Sequence, residues 1–242
     1  MTVRLDGIDL VVFDKDGTII EFGSMWSGWA VAVVEALAAA TDRPIRAPLY
    51  AMLGVDPETG IVLPGGGLAA TPMARLRDRT REVLVANGVS ETEAERALEA
   101  TWHAPDPVAS ARPVTDLAAL FDRLRAGGCR ISVATTDDRA PTERTLAALG
   151  VSDRIDATIC ADDGIAVKPA PDMVLHLYAT LGVEPARTAV VGDTAADLRM
   201  GRAAGAGLVV AVLTGVGGRA DLAPLADAVI ASVEELEVGA AG

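Results

Sequence analysis

Aromatic residues, cysteines and basic residues are all scarce in this chain of 242 residues, and each shortage limits what the protein can be. Half of the residues are apolar but only 3% are aromatic, so a core must be built mostly from small and aliphatic side chains. The net charge is −13, from 21 basic and 34 acidic residues, which disfavours a general nucleic-acid-binding surface. An anionic substrate would therefore need a local positive charge in its own site.

The two cysteines, Cys129 and Cys160, are far apart in the sequence. We expect both to be buried free thiols, as is usual in a reducing cytosol. The first residues show no signal-peptide pattern, and no apolar run approaches the ~20 residues that span a bilayer. We therefore expect a soluble, cytoplasmic protein without a nucleic-acid or membrane partner.

The most informative stretch of the sequence is a short apolar run, residues 10–13, that leads directly into Asp14 and Asp16 and then Gly17 and Thr18. An apolar run that ends in a glycine-containing turn indicates a strand buried on both faces, as in parallel sheets. The two acids would then lie just past the end of the strand, where open α/β sheets place their ligand sites. On its own, the stretch is also compatible with an ordinary polar turn.

Hydrophobic periodicity divides the chain into two parts. Residues 21–108 predict a mostly helical insertion, with helices over 24–40, 48–53, 72–86 and 90–102. The rest alternates between helices and strands, and the later strands are predicted at 131–134, 157–160, 188–191, 208–212 and 228–230. This alternation predicts an α/β fold with a doubly wound, Rossmann-like parallel sheet. The predicted domains are an α/β core of residues 1–20 and 109–242 and a helical domain of residues 21–108.

Polar side chains follow three of the predicted strands, and a later loop adds a lysine. These side chains are Asp14 and Asp16, Thr135 and Thr136, Asp193 and Asp197, and Lys168. The ends of parallel strands share one sheet edge, so we expect these groups to converge. Neighbouring carboxylates repel by roughly 1–4 kcal/mol per pair, and an all-oxygen ligand set suits Mg²⁺. The lysine, the hydroxyls and backbone N–H groups could bind phosphate, and a free carboxylate could attack phosphorus.

This order of motifs resembles the haloacid dehalogenase-like hydrolase superfamily over nearly the whole chain, in its phosphoglycolate phosphatase and β-phosphoglucomutase branch. Residues 14–18 match the Asp-x-Asp-Gly-Thr motif, and residues 192–197 match Gly-Asp-x-x-x-Asp. Thr135 matches the threonine that closes a strand, and Lys168 matches the family lysine. The resemblance implies that residues 21–108 form a helical cap of the C1 type.

The resemblance also implies a Mg²⁺-dependent phosphatase that hydrolyses a small phosphate monoester, either phosphoglycolate-like or a sugar phosphate, through a phospho-aspartate. Asp14 would be the nucleophile and a metal ligand. Asp16 would exchange protons with the leaving group and the hydrolytic water, and would reach the metal through its backbone carbonyl. Asp193 would be the second carboxylate ligand, and Asp197 would orient the site by hydrogen bonding.

The remaining implied roles concern phosphate binding. Thr135 and the amide of Thr136 would bind the phosphoryl group, and Lys168 would neutralise charge on the nucleophile and the phosphate. The dehalogenases of the superfamily lack the acid that Asp16 supplies, so dehalogenation is not expected. The small phosphorylated metabolite that is the physiological substrate, and the oligomeric state, are not specified by these motifs.

Other functions remain open at the level of sequence. A mutase of the β-phosphoglucomutase type would return the phosphoryl group to a sugar. Phosphonate cleavage requires a cap lysine in the related enzymes, and the insertion between Glu21 and Asp106 contains none. A catalytically silent binding protein on the same scaffold is the alternative from another functional class.

Several residues have two interpretations. Lys15 fills the variable position of the first motif and is interpreted as a neutral replacement for an apolar residue. Trp26 and Trp29 either pack the first helix of the insertion, which their spacing favours, or line a substrate pocket. The glycines 65–67 form either a substrate loop or an exposed connector. The acids 137–138 are interpreted as residues that start a helix.

Overall fold

The computed structural model describes residues 2–63, 65–103 and 105–239. The chain divides into two compact units. One unit combines Met1–Phe22 with Ala111–Gly242, and the other is Gly23–Ser110. The first unit contains the strands of the alternating α/β pattern, and the second contains the helical insertion.

The larger unit is built on a parallel sheet. The strands of the described residues are β1 (Val3–Arg4), β2 (Leu10–Phe13), β3 (Arg130–Ala134), β4 (Ala157–Ile159), β5 (Thr188–Gly192), β6 (Leu208–Val212), β7 (Ala228–Ile230) and β8 (Leu236–Glu237). Six of these strands form one sheet in the order β4-β3-β2-β5-β6-β7, with every pair parallel. β1 and β8 form a separate parallel pair that the sequence pattern did not predict. β2 therefore lies in the interior of the sheet, between β3 and β5.

The four helices predicted in the insertion are observed close to their predicted bounds, and several short helices were not predicted. The helices of the described residues are α1 (Phe22–Thr41), α2 (Arg46–Leu53), α3 (Gly67–Ala70), α4 (Met73–Ala86), α5 (Glu91–Thr101), α6 (Pro107–Ser110), α7 (Leu117–Ala126), α8 (Arg139–Ala148), α9 (Asp172–Leu181), α10 (Ala195–Ala203) and α11 (Arg219–Leu222). Side-chain caps fix three of the described α-helix starts. Ser90 accepts from the N–H of Glu93 before α5, Asp116 from the N–H of Ala119 before α7, and Thr194 from the N–H of Asp197 before α10.

Both faces of the central strand β2 are covered, as its four buried apolar residues predict. Val12 lies in a core cluster with Leu177 of α9 and Met200 of α10. Phe13 points to the opposite face, where its ring lies 5.6 Å from that of Phe121 in α7. Helices on both faces of a parallel sheet confirm the prediction of a doubly wound α/β fold.

The tryptophans of the helical unit pack against one another. Trp29 makes edge-to-face contacts with Trp26, at 5.7 Å between ring centroids, and with Trp102, at 5.0 Å. Its indole N–H donates to the carbonyl of His103. Both Trp26 and Trp29 are buried within the protein, so the structure favours the packing interpretation of these residues.

The glycine-rich segment of the helical unit also has a packing role. A Cβ atom on Gly66 would lie 2.8 Å from the Cα of Gly54, and one on Gly67 would lie 2.4 Å from the carbonyl oxygen of Met52. The backbone of this segment therefore approaches the end of α2 more closely than any side chain would allow. This close approach explains Gly66 and Gly67 by packing.

Helix α1 corrects the expectation that no apolar segment approaches the length needed to span a bilayer. It has 20 residues and a mean hydropathy of 1.2, so by length and composition it is long and apolar enough to cross a membrane. Half of that window is buried inside the protein, with Val34 and Leu37 fully inaccessible. The core helix of a globular unit meets the same criterion, so α1 is weak evidence for a membrane span.

Candidate active site

The ends of three neighbouring strands carry the site. Asp14 directly follows β2, and its backbone N–H donates to the carbonyl of Val191 in β5 at 2.9 Å. Thr135 follows β3, and Asp193 follows β5. Because β2 lies between β3 and β5, the sheet brings these three residues to adjacent positions at one edge. The predicted convergence of residues from distant parts of the sequence is observed.

Three carboxylates form the centre of the site. Asp14, Asp193 and Asp197 each place one oxygen within 4.8 Å of the other two. Asp193 is fully buried and accepts from the N–H of Val216 at 2.9 Å. The hydroxyl of Thr18 lies 3.3 Å from an oxygen of Asp14 and 3.3 Å from one of Asp193. A hydroxyl has one hydrogen, so Thr18 donates to only one of these acids at a time.

Lys168 is the cation of this cluster. Its Nζ lies 2.5 Å from Oδ1 of Asp14 and 2.6 Å from Oδ1 of Asp197, and its side chain is 4% exposed. Burial alone would lower the pKa of Lys168, but Asp14 and Asp197 outweigh burial and raise the pKa above its usual value. Lys168 is therefore charged at neutral pH. Three carboxylates and one ammonium leave a charge of −3 + 1 = −2 in this group.

The excess negative charge changes the acidity of the carboxyl groups. Burial is the largest influence on Asp14 and raises its pKa to about 6, while Lys168 opposes the shift and Asp197 adds to it. Burial also raises the pKa of Asp193 well above its usual value, and the charges of Asp14 and Asp197 add to that shift. A hard divalent cation bound by these oxygens would offset the repulsion between the carboxylates, so that they could stay ionised without taking up protons. The donor set thus fits a divalent metal ion.

A glycine-rich loop closes over Asp193. A Cβ atom on Gly17 would lie 2.5 Å from Oδ2 of Asp193, and one on Gly215 would overlap the same carboxylate. Thr214, in the same loop as Gly215, links that loop to the turn that contains Gly17, because its hydroxyl donates to the carbonyl of Gly17 at 2.7 Å. The sequence signal for this loop was a glycine-rich run after a predicted strand, which did not show that the loop holds an acid.

A second buried lysine lies beside the cluster. Nζ of Lys15 is 2.8 Å from Oδ1 and 2.7 Å from Oδ2 of Asp16, and 3.2 Å from Oδ2 of Asp137. Lys15 is fully buried, and although burial lowers its pKa, Asp16 and Asp137 raise it above the usual value. An apolar side chain here would leave two carboxylates unpaired, so the structure does not support Lys15 as a neutral replacement. Asp137, which was interpreted only as a residue that starts a helix, also forms an ion pair with Lys15.

Two of the three predicted phosphate-binding residues, Thr135 and Thr136, lie in the turn after β3, while the third, Lys168, lies in the carboxylate cluster. Thr135 is buried, and its hydroxyl accepts from the N–H of Asp137 at 3.1 Å. Thr136 is half-buried between them. The ion pair between Lys15 and Asp137 joins this turn to the loop that carries Asp14. All predicted site residues therefore lie in the one α/β unit.

The cysteines take no part in this arrangement. Cys129 and Cys160 are both free and buried, as predicted. Burial raises the pKa of each thiol to about 11, so neither is a thiolate at neutral pH.

The fold and the site define an α/β enzyme whose acids, lysine and hydroxyls meet at the carboxyl edge of a parallel sheet. The model of the haloacid dehalogenase-like hydrolase family matches residues 8–205. The chain belongs to this family, as its motifs predicted.

Individual relatives agree with this assignment. A phosphoglycolate phosphatase of Rhodospirillum rubrum is 30% identical over 201 residues, which are 83% of this chain and 78% of that protein. A phosphoglycolate phosphatase of Aquifex aeolicus is 26% identical over 199 residues, 81% of each protein. The crystal structure of a haloacid dehalogenase superfamily hydrolase, subfamily IA, from Geobacter sulfurreducens shares the fold, with a TM-score of 0.64, 18% identity and 97% of each chain covered.

Proposed function

We propose that this protein is a Mg²⁺-dependent phosphatase that hydrolyses a small phosphate monoester through a phospho-aspartate on Asp14. The observation that carries the proposal is the buried cluster in which Lys168 contacts Asp14 at 2.5 Å beside the further acids Asp193 and Asp197. Relatives named phosphoglycolate phosphatase support a phosphorylated substrate, phosphoglycolate-like or a sugar phosphate.

The charge of the site supports the choice of cofactor. Asp14, Asp193 and the backbone carbonyl of Asp16 would hold Mg²⁺, and Asp197 would orient this shell through Lys168, which it contacts at 2.6 Å. When bound, the ion supplies positive charge that offsets both the acids and the transferring phosphoryl group.

The residues of the chain divide the chemistry among them. A carboxylate oxygen of Asp14 attacks phosphorus while the bond to the leaving oxygen breaks, and the acid form of Asp16 gives that oxygen its proton. The products of this step are an aspartyl phosphate and an alcohol. Asp16 then takes a proton from water as the water oxygen attacks phosphorus, which releases inorganic phosphate and restores Asp14. Lys168, the hydroxyl of Thr135 and the amide of Thr136 bind the phosphoryl oxygens.

The two units would have different tasks. We propose that Met1–Phe22 with Ala111–Gly242 is the catalytic core and that Gly23–Ser110 acts as a cap that excludes bulk water and selects the substrate. A small phosphorylated metabolite as substrate is consistent with a cytoplasmic enzyme.

The test compares the protein with an Asp14→Asn variant on p-nitrophenyl phosphate with Mg²⁺. We expect turnover by the parent and its loss in the variant, while Asp6→Asn, a change of an exposed acid in the same unit, leaves turnover unchanged. Undiminished turnover in Asp14→Asn, or none in the parent, would contradict the proposal. Return of phosphate to a sugar instead of release of inorganic phosphate would identify a mutase.

A further inference from the structure

The chain contains two lysines among its 21 basic residues, and both are buried in the site. Lys168 has a role in the proposed reaction, whereas Lys15 has none. Lys15 nevertheless contacts both carboxylate oxygens of Asp16, at 2.8 and 2.7 Å, and a second acid, Asp137, at 3.2 Å. A lysine that contacts both oxygens of one carboxylate restrains the rotation of that group.

The backbone on both sides of this contact is fixed by hydrogen bonds. The carbonyl of Lys15 accepts from the N–H groups of Ile19 and Ile20, each at 3.0 Å. The N–H of Asp137 donates to the hydroxyl of Thr135, and its carbonyl accepts from the N–H of Ala161 at 3.0 Å. The ammonium of Lys15 is thus held between two ordered turns, and its side chain is inaccessible to solvent.

We propose that Lys15 is a positioning residue for Asp16: its ammonium, anchored on Asp137, fixes the carboxylate that exchanges protons with the leaving group. This inference rests on the proposed phosphatase function. Lys15 acts through Asp16, because the contacts of its Nζ are with carboxylates. A general acid must be held within hydrogen-bond reach of the atom that it protonates, so the loss of this restraint should slow the steps in which Asp16 transfers a proton.

The effect should depend on the leaving group. p-Nitrophenolate is a weak base and leaves without a proton, whereas phenolate is a stronger base and needs one more. Phenyl phosphate and p-nitrophenyl phosphate have nearly the same shape, so their comparison isolates proton donation from binding. A residue with a purely structural role would change turnover of both esters by the same factor.

The experiment measures kcat and kcat/KM of the Mg²⁺-loaded protein and of Lys15→Met on both esters. We expect a loss of about 10–100-fold on phenyl phosphate and of less than about threefold on p-nitrophenyl phosphate, since general acid catalysis contributes about 10²–10⁴-fold when complete. Equal losses on the two esters, or no loss on either, would overturn the proposal. Restoration of turnover of phenyl phosphate by Lys15→Arg, which keeps a cation at this position, would support it.

A second variant covers the case in which Lys15→Met does not fold. Asp137→Asn keeps the contact between Lys15 and Asp16 but removes the charge of the anchor. We expect the same preference for p-nitrophenyl phosphate, with a smaller loss on phenyl phosphate, about 3–10-fold. Equal losses on the two esters, each relative to the parent, in a folded Asp137→Asn protein would contradict the proposal.

Failure of this inference can be told apart from failure of the proposed function. An inactive parent, or an active Asp14→Asn variant, would contradict the phosphatase itself. An active parent, an inactive Asp14→Asn variant and a Lys15→Met variant that matches the parent on both esters would leave the phosphatase standing and remove only the role of Lys15.

Discussion

Two buried lysines, each between two aspartates, lie in the same site but have different electrostatic surroundings. The Lys168 group consists of Lys168, Asp14 and Asp197, and the Lys15 group consists of Lys15, Asp16 and Asp137. Each group has a charge of −2 + 1 = −1. Only the Lys168 group gains a further carboxylate, Asp193, whose oxygens contact the N–H of Val216 and the hydroxyl of Thr18 in the described residues.

This difference shows how similar residues come to serve different purposes. The Lys15 group keeps one excess negative charge on two carboxylates that contact the same ammonium, and it joins two turns. With Asp193 the Lys168 group has a charge of −3 + 1 = −2 when all of its groups are ionised, and burial raises the pKa of Asp193 well above its usual value. We therefore interpret the first as a restraint on Asp16 and the second as a site that requires a cation.

The largest effect is expected for the nucleophile. Asp14→Asn should lower kcat by at least about 10⁴-fold, because an amide does not attack phosphorus. Asp137→Asn, in the other group, should lower kcat by no more than about threefold on p-nitrophenyl phosphate. Steady-state kinetics on that ester measure both changes. Similar losses in the two variants would remove the distinction between the groups.

The next effect concerns the two lysines. Lys168→Met and Lys15→Met should each lower the free energy of unfolding by about 3–5 kcal/mol, because each leaves buried carboxylates unpaired. The loss should be larger for Lys168→Met in metal-free protein, where three carboxylates lose their ammonium, and saturating Mg²⁺ should recover more of it there. Urea denaturation with and without Mg²⁺ tests this order, and the reverse order would contradict our comparison.

Asp193→Asn should change stability by less than the lysine variants do, and in the opposite direction. In metal-free protein this change should raise the free energy of unfolding by about 1–3 kcal/mol, since it removes a buried like charge while an amide oxygen still accepts from Val216. Asp137→Asn should instead lower stability, because Lys15 loses a partner. Thermal and urea denaturation in a chelator provide the measurement. Asp193→Asn should also abolish stabilisation by Mg²⁺, and persistence of that stabilisation would argue against Asp193 as a ligand.

The smallest effect is a pH dependence. The pKa of Asp14 is about 6 in the folded protein, above the usual 3.8, so the folded state retains a proton that the unfolded state has already released. The resulting stability is fully present below about pH 4 and is lost as the pH rises through 6, at about 1.4 kcal/mol per pH unit. The metal-free parent should thus lose stability relative to Asp14→Asn across this range. A difference that stays constant with pH would contradict the raised pKa.

The sequence predicted the sheet well because its central strand is apolar throughout. The run Leu10–Phe13 is buried on both faces, and the turn residues that follow it leave little choice for its end. The pair formed by Val3–Arg4 and Leu236–Glu237 was missed, because two residues carry no measurable periodicity. The convergence of the acids at the strand ends could also be predicted, because the carboxyl ends of parallel strands lie along one edge of the sheet.

The role of Lys15 could not be read in the same way. Its partner Asp137 is 122 positions away, and no local pattern shows that the two turns meet or that the side chain points inward. The loop over Asp193 was also beyond the sequence, since a glycine-rich run indicates a turn but not what the turn encloses. Contacts between turns depend on tertiary packing, whereas strand ends depend on topology.

The most direct test of the central claim is to trap the phosphorylated enzyme. The Mg²⁺-loaded protein would be mixed with p-nitrophenyl phosphate, quenched rapidly in acid and treated with borohydride, which reduces an aspartyl phosphate to homoserine. We predict substrate-dependent homoserine at position 14, detected by peptide mass spectrometry, and none in Asp14→Asn. Homoserine at another aspartate, or none at all in a protein that turns over this ester and is quenched at steady state, would contradict Asp14 as the group that attacks phosphorus.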